Sequence, residues 1–388
     1  MTGDPVTFGD VTPPDDDAAR AALTRLAGVA VPAGAGATVR TPEPAVARVA
    51  GWLAARGSSA SDCRLVIFAG DNGVVTDGPR DGGRVTLLPE GFSSDAADAV
   101  GDGSAPVVAL AHRVDTALRL VDTNLHRGPA VTGTAADGPS DGDRDRWRVR
   151  DSSGAVDRED AMSDDELEAA LRVGRDVADR EIDGGANLLL TGEIGAGLTT
   201  VAATVVCAVC RAEPVRAVGP GAGVDDTTWR SKVAVIRDAL FRVRRHRDSP
   251  RALLRSVTSP AVAAEAAFIA HAAERRTPVV LDGVASAAAA VVADLLCPGA
   301  RSWCLPAHAA AEPAHRIAMT HLGAEPVVPG DLGLSQGAAA LQVLPVLRTA
   351  CALAAGPESD GDGDRSAEPD GAVDRSANRG GDGDPAHH

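Results

Sequence analysis

The segment Gly192-Glu193-Ile194-Gly195-Ala196-Gly197-Leu198-Thr199-Thr200 is the stretch of this 388-residue chain best suited to chemistry. Glycines let the backbone approach a ligand closely, and a helix starting after them offers unpaired N–H groups and a favourable dipole to an anion such as phosphate. Two standard phosphate motifs come near without fitting. In the phosphate-loop pattern Leu198 stands where Lys is required, and in a dinucleotide pattern begun at Gly195 and Gly197 it is Thr200 that replaces the third glycine. A second glycine loop, Gly219-Pro220-Gly221-Ala222-Gly223, leads through Asp225-Asp226 into a helix carrying Lys232. This is the single lysine among 38 basic residues. Its compact ammonium suits a phosphate as a point charge, and the plainer alternative is a solvated helix residue.

Asp71 with Asn72, Asp282 with Gly283, and His308 each follow a short apolar run. Taken singly, an acidic residue in such a place is most often a helix cap, and a lone histidine is more often packed or solvated than bound to a ligand. With the loop of Glu193 these make four in one chain, which shifts the weight toward a site.

The runs that precede these loops are Leu65–Ala69, Asn187–Thr191, Pro278–Leu281 and Ser302–Leu305, with Leu118–Val121 as a fifth. Continuous apolar runs of four or five residues, rather than alternating ones, indicate strands covered on both faces, the mark of a parallel sheet with helical crossovers. The fold class expected is therefore α/β, a Rossmann-like parallel sheet with helices on both faces. Ligands of such sheets bind outside the carboxyl ends of the strands, where Asp71, Glu193, Asp282 and His308 would converge. Helices are expected at Asp17–Leu26, at Pro44–Arg56, after the capping box Ser163-Asp164-Asp165-Glu166, and over Thr228–Arg242, where Trp229, Val233, Ile236 and Leu240 recur at helical spacing. Three parts follow: an N-terminal helical segment over 1–60, an α/β domain over 61–355 with an exposed insertion near 133–160, and a disordered acidic tail over 356–388.

Composition narrows the partners. The net charge is −16 and there are 5 Phe, 4 Trp and no Tyr. An aromatic platform for stacking bases is nearly lacking and a polyanion would be repelled, so nucleic acid is not an expected partner. The tail carries six of those negative charges, nine acidic residues against three arginines. Acidity throughout also suits a salt-adapted cytoplasm. Six cysteines make no zinc or disulfide pattern, Cys207 and Cys210 reading as buried helix residues. No signal peptide is apparent, and the longest uncharged run, Ile194–Cys210, falls short of a membrane span; a reducing cytoplasm is expected.

The loops, in their order, resemble the nicotinate mononucleotide:dimethylbenzimidazole phosphoribosyltransferase family of cobalamin biosynthesis. The matching stretches are Phe68-Ala69-Gly70-Asp71-Asn72-Gly73-Val74, Gly192 to Thr200, Gly219 to Asp226 with Lys232, Leu281-Asp282-Gly283, and His308 with Glu312-Pro313-Ala314-His315 and Leu322-Gly323. They run from about residue 60 to 355. The resemblance implies an α/β core with a small helical domain, a homodimer, and neither metal nor cofactor. The reaction it implies moves phosphoribose from nicotinate mononucleotide to a benzimidazole nitrogen, giving α-ribazole phosphate and nicotinate. Substrate contacts would come from Asp71, Asn72, Leu88, Gly192, Gly195, Gly197, Thr199, Gly219, Gly221, Gly223, Lys232, Asp282, Gly283 and His308. Lys232 would hold phosphate, and Glu193 would accept ribose hydroxyls.

Several positions depart from the family's pattern. The carboxylate that serves the family as acceptor base falls, counted without gaps from Glu325-Pro326, at Gln336 in Leu334-Ser335-Gln336-Gly337. An amide cannot take a proton, and general-base catalysis is worth about 10² to 10⁴ in rate. Another carboxylate must then substitute, or the chain is a paralogue that binds nucleotide as a regulatory subunit without turnover. In the acceptor loop Val85-Thr86-Leu87-Leu88-Pro89, Leu88 replaces a Tyr; Leu198 and Asn72 replace an Asn and a His.

Overall fold

Residues 4–29, 44–54, 58–127, 145–246 and 249–355 are described by a computed structural model. The acidic tail and residues 133–144 of the insertion lie outside them. Five strands form one parallel sheet in the order β2-β1-β3-β4-β5: β1 (Cys63–Gly70), β2 (Ala117–Asn124), β3 (Leu188–Ile194), β4 (Val279–Leu281) and β5 (Cys304–Pro306). Leu65 through Ala69 and Leu188 through Leu190 are wholly buried. Because side chains alternate between faces along a strand, both faces of the sheet are covered.

Two boundaries differ from the sequence reading. Strand β3 does not end at Thr191; it continues through Gly192, Glu193 and Ile194, which pair with Ile67, Phe68 and Ala69. The last strand begins only at Cys304, because Ala300–Trp303 forms a 3-10 turn.

The helices are α1 (Asp16–Val29), α2 (Pro44–Ala54), α3 (Phe92–Gly101), α4 (Pro106–Arg113), α5 (Asp164–Asp183), α6 (Leu198–Cys210), α7 (Asp226–Val243), α8 (Pro250–Val257), α9 (Pro260–Glu274), α10 (Val284–Leu296), α11 (Pro313–Leu322) and α12 (Ala338–Ala355), with single-turn helices at Gly73–Thr76 and Pro214–Ala217. The capping box forms as expected: the Glu166 N–H donates to Ser163 Oγ at 3.3 Å and the Ser163 N–H to Glu166 Oε2 at 2.7 Å. Helix α9 packs on α5, α10 and strand β1, and every residue from Pro260 to Ala273 is buried. With so few aromatic residues the core is aliphatic, Phe68 and Phe268 meeting edge-on with ring centroids 5.5 Å apart. Helices α1, α2 and α12 pack on one another, joining the N-terminal segment to the end of the α/β domain. The six cysteines, all among the described residues, form no disulfide.

The described part of the insertion is not an exposed excursion. Ser152, Ser153, Ala155, Val156 and Asp157 are buried. Their polarity is spent on the loop after β1: the Ser153 N–H donates to Asp71 O at 3.1 Å, the Gly73 N–H to Ser153 Oγ at 3.2 Å, and the Arg80 N–H to Asp157 Oδ2 at 2.7 Å. Helix α12 is, by length and composition, apolar enough to cross a membrane, but more than half of it is buried in the fold. Its one charge, Arg348, donates to Ala60 O at 3.0 Å and Val114 O at 2.6 Å.

Candidate active site

The chain reverses its direction of strand addition between β1 and β3, and in an open parallel sheet the crevice at that switch point takes the ligand. The carboxyl ends of these two strands carry Asp71-Asn72 and Glu193. The exits of β4 and β5 add Asp282 and, two residues past its end, His308.

At the β1 exit the side chains hold loops together. Asp71 Oδ2 accepts the His126 N–H at 2.8 Å, and its carbonyl accepts Asn124 Nδ2 at 2.7 Å. Asn72 is fully buried and donates through Nδ2 to Ala196 O at 2.8 Å, tying the first loop to the second; its Oδ1 is a buried acceptor with no partner.

The glycines of the central segment are filled by protein rather than left open for a ligand, contrary to the expectation from sequence. A Cβ on Gly192 would stand 2.4 Å from the Gly337 nitrogen and 2.6 Å from the Gln336 carbonyl carbon. One on Gly195 would meet Gly70 O at 2.6 Å, and one on Gly197, whose φ of 75° already favours glycine, would meet Val75 Cγ2 at 2.6 Å. Gly283 and Gly223 have open space where a Cβ would go. These close approaches bring the backbone of Gln336 and Gly337 against β3 at Gly192. The loop carrying the half-buried Leu88 meets the same place through Val85, a Cβ on Gly197 falling 3.7 Å from Val85 Cγ2.

Carboxyl groups gather behind this point. Glu193 is half-buried, and its Oε1 accepts the Ser286 hydroxyl, which in turn accepts Thr191 Oγ1 at 2.8 Å. Glu265, from the middle of α9, is fully buried beside Glu193, and neither of its carboxyl oxygens has a hydrogen-bond partner. A carboxyl this buried beside a second one holds a proton rather than a charge. Burial, together with the negative charge of Glu193, raises Glu265 well above the usual carboxylate range, and burial also raises Glu193, opposed by its Ser286 bond. Asp282 accepts the N–H groups of Gly337 at 2.9 Å and Ala340 at 3.1 Å, so it caps α12 and fixes the loop of Gln336. Burial and the charge of Glu193 push Asp282 up to about 7.

Lys232 is 1% exposed, so it is not a solvated helix residue. Its ammonium donates to Thr199 Oγ1 at 3.2 Å and Gly219 O at 3.4 Å, and burial lowers its pKa against an opposing pull from Glu312. The Asp225 carboxylate caps α7 by accepting the Thr228 N–H at 2.8 Å. His308 is buried, its Nδ1 accepts the Leu332 N–H at 3.1 Å, and burial lowers its pKa. Its proton therefore belongs on Nε2, which has no partner. Among the described residues no group of three His, Cys, Asp or Glu side chains is gathered to hold a metal.

The sequence reading missed Glu265, Ser286, Ser93, whose hydroxyl accepts the Ala196 N–H at 2.9 Å, and the role of Glu312. Glu265 left one readable signal: it is the only charged residue between Pro260 and Ala273, apart from the ring of His271.

A crevice at the switch point of an open parallel sheet, with a buried lysine and a glycine loop, is the geometry of an α/β ligand-binding protein. Residues 11–360 match the family model described as phosphoribosyltransferase, and the chain belongs to that family. Among its relatives, the nicotinate-nucleotide–dimethylbenzimidazole phosphoribosyltransferase of Corynebacterium glutamicum is 41% identical over 296 residues, covering 76% of each chain. The protein of the same name from Mycobacterium marinum is 39% identical over 347 residues, 89% of this chain and 92% of its own. The crystal structure of CobT from Thermus thermophilus is similar with a TM-score of 0.72 at 28% identity, over 87% of this chain and 96% of that one.

Proposed function

We propose that this chain transfers phosphoribose from nicotinate mononucleotide to dimethylbenzimidazole or a related base, releasing nicotinate and forming α-ribazole phosphate for the nucleotide loop of cobalamin. The observation that carries this reading is the identity of about two residues in five to relatives of that name, spread over three quarters or more of the chain. Nothing in the fold or the comparisons favours a nucleotide-binding subunit without turnover.

In the reaction the bond from ribose C1′ to the pyridinium nitrogen breaks, and its electron pair neutralises the departing nicotinate. The lone pair of the benzimidazole nitrogen forms the new bond, and the proton on its other ring nitrogen must leave. Glu193 takes that proton. Its neighbour Glu265 already holds one, so the pair passes from one negative charge to none, the form that burial prefers. Gln336, whose backbone packs against Gly192, lines the acceptor subsite and leaves the ring N–H to Glu193. Lys232 and the Gly219–Gly223 loop hold the phosphate, and the remaining rate comes from keeping two substrates in one place.

The working form is a homodimer, as the resemblance implies, in a reducing cytoplasm, which suits cysteines that form no disulfide. Light scattering of the purified protein tests the dimer. The reaction is tested by mass spectrometry of nicotinate and α-ribazole phosphate formed from nicotinate mononucleotide with and without dimethylbenzimidazole. No dimethylbenzimidazole-dependent nicotinate would overturn the proposal.

A further inference from the structure

Glu312 stands at the start of α11, where an acidic side chain ordinarily caps its own helix, yet it makes no such bond. Its carboxylate reaches instead into the second glycine loop. Oε1 accepts the Gly221 N–H at 2.6 Å. A Cβ on Gly219 would lie 2.6 Å from Oε2, and a Cβ on Gly221 would lie 2.9 Å from Lys232 Nζ. These two glycines are therefore small because an anion and a cation already crowd them. Lys232 itself is almost wholly buried, its two hydrogen-bond partners are a hydroxyl and a carbonyl, and the neighbouring charge that favours its ammonium is that of Glu312.

We propose that Glu312 is the resident anion of the phosphate subsite: its carboxylate occupies the glycine-loop amide that the substrate phosphate must take, and the phosphate displaces it. The inference rests on Lys232 and this loop holding phosphate, as argued under the proposed function. A phosphate carries more charge and more acceptor oxygens than a carboxylate, so it wins the contest for the amide and the ammonium. Glu312 thereby keeps the loop in shape between turnovers, at the expense of affinity. After transfer it returns and helps expel the product's phosphate. It is a positioning residue that sets substrate affinity, not a group that touches the reacting atoms.

The test is calorimetric titration of inorganic phosphate and of nicotinate mononucleotide into wild type, Glu312→Gln and Glu312→Asp, with KM and kcat measured alongside. Glu312→Gln keeps an acceptor for the Gly221 N–H but removes the like charge, so inorganic phosphate binds at least about tenfold more tightly and KM for the mononucleotide falls in step. Glu312→Asp keeps the charge on a shorter stem and gains less. If folded Glu312→Gln binds phosphate no better than wild type, or more weakly, Glu312 braces the loop or belongs to the substrate grip, and the inference is wrong. Failure of the proposed function looks different: wild type releases no nicotinate, while the phosphate titrations still report on Glu312.

Discussion

The carboxyl of Glu265, carried by an otherwise apolar helix, meets the carboxyl of Glu193 at the end of the third strand. Held protonated by burial and by the charge beside it, Glu265 offers a donor that favours the charged form of Glu193. Replacing Glu265 by Leu removes that donor, so the acidic limb of the kcat/KM profile moves to higher pH; Glu265→Gln keeps a donor and leaves the limb in place. A pH profile of the three proteins checks this. An unmoved limb in Glu265→Leu would separate the pair from the proton transfer.

Asp282 gives the fold a pH dependence of known sign. Its carboxyl titrates near 3.8 when free and at about 7 in the fold, so the native state holds the proton more tightly. The stability this contributes is complete below about pH 4 and is lost as pH rises through about 7. Asp282→Asn abolishes that slope while costing about 1 kcal/mol through a weaker cap on α12. Urea unfolding from pH 4 to 8 measures it: wild type falls relative to the variant over this range, and parallel curves would contradict the assignment.

Gly192→Ala tests the contact that holds Gln336 at the site. The added Cβ meets backbone atoms of residues 336 and 337 inside 3 Å, and overpacking of this kind costs about 1–3 kcal/mol. The expected result is a lower melting temperature, with a larger fall in kcat than in thermal stability. Unchanged activity would mean that the loop of Gln336 takes no part in the reaction.

Lys232→Met separates function from stability. Methionine fills a similar volume without a buried charge, so the melting temperature holds or rises, whereas KM for the mononucleotide climbs at least about tenfold. A variant with wild-type KM would place the phosphate elsewhere.

The sheet was legible because its strands are buried on both faces and therefore read as unbroken apolar runs. Gly192 and Glu193 escaped that reading, since a glycine and a charge look like a loop although both pair with β1. Glu265 was hidden for a related reason: a lone acidic residue on a helix is read by default as facing water, and only packing of α9 among α5, α10 and the sheet turns it inward. Gly192, Gly195 and Gly197 are crowded by protein, which sequence could not show, because it reveals that a position must be small and not what crowds it. Residues 152–157 looked exposed for their polarity, yet loop backbone far away in sequence satisfies them. Long-range pairing of this sort leaves no local pattern.

The most direct measurement compares dimethylbenzimidazole-dependent nicotinate release by wild type, Glu193→Gln and Gln336→Glu under saturating substrates. With Glu193 as base, wild type turns over, Glu193→Gln loses about 10² to 10⁴ in kcat, and Gln336→Glu changes it less than about tenfold. A silent wild type that Gln336→Glu awakens, or a Glu193→Gln variant as fast as wild type, would contradict the account.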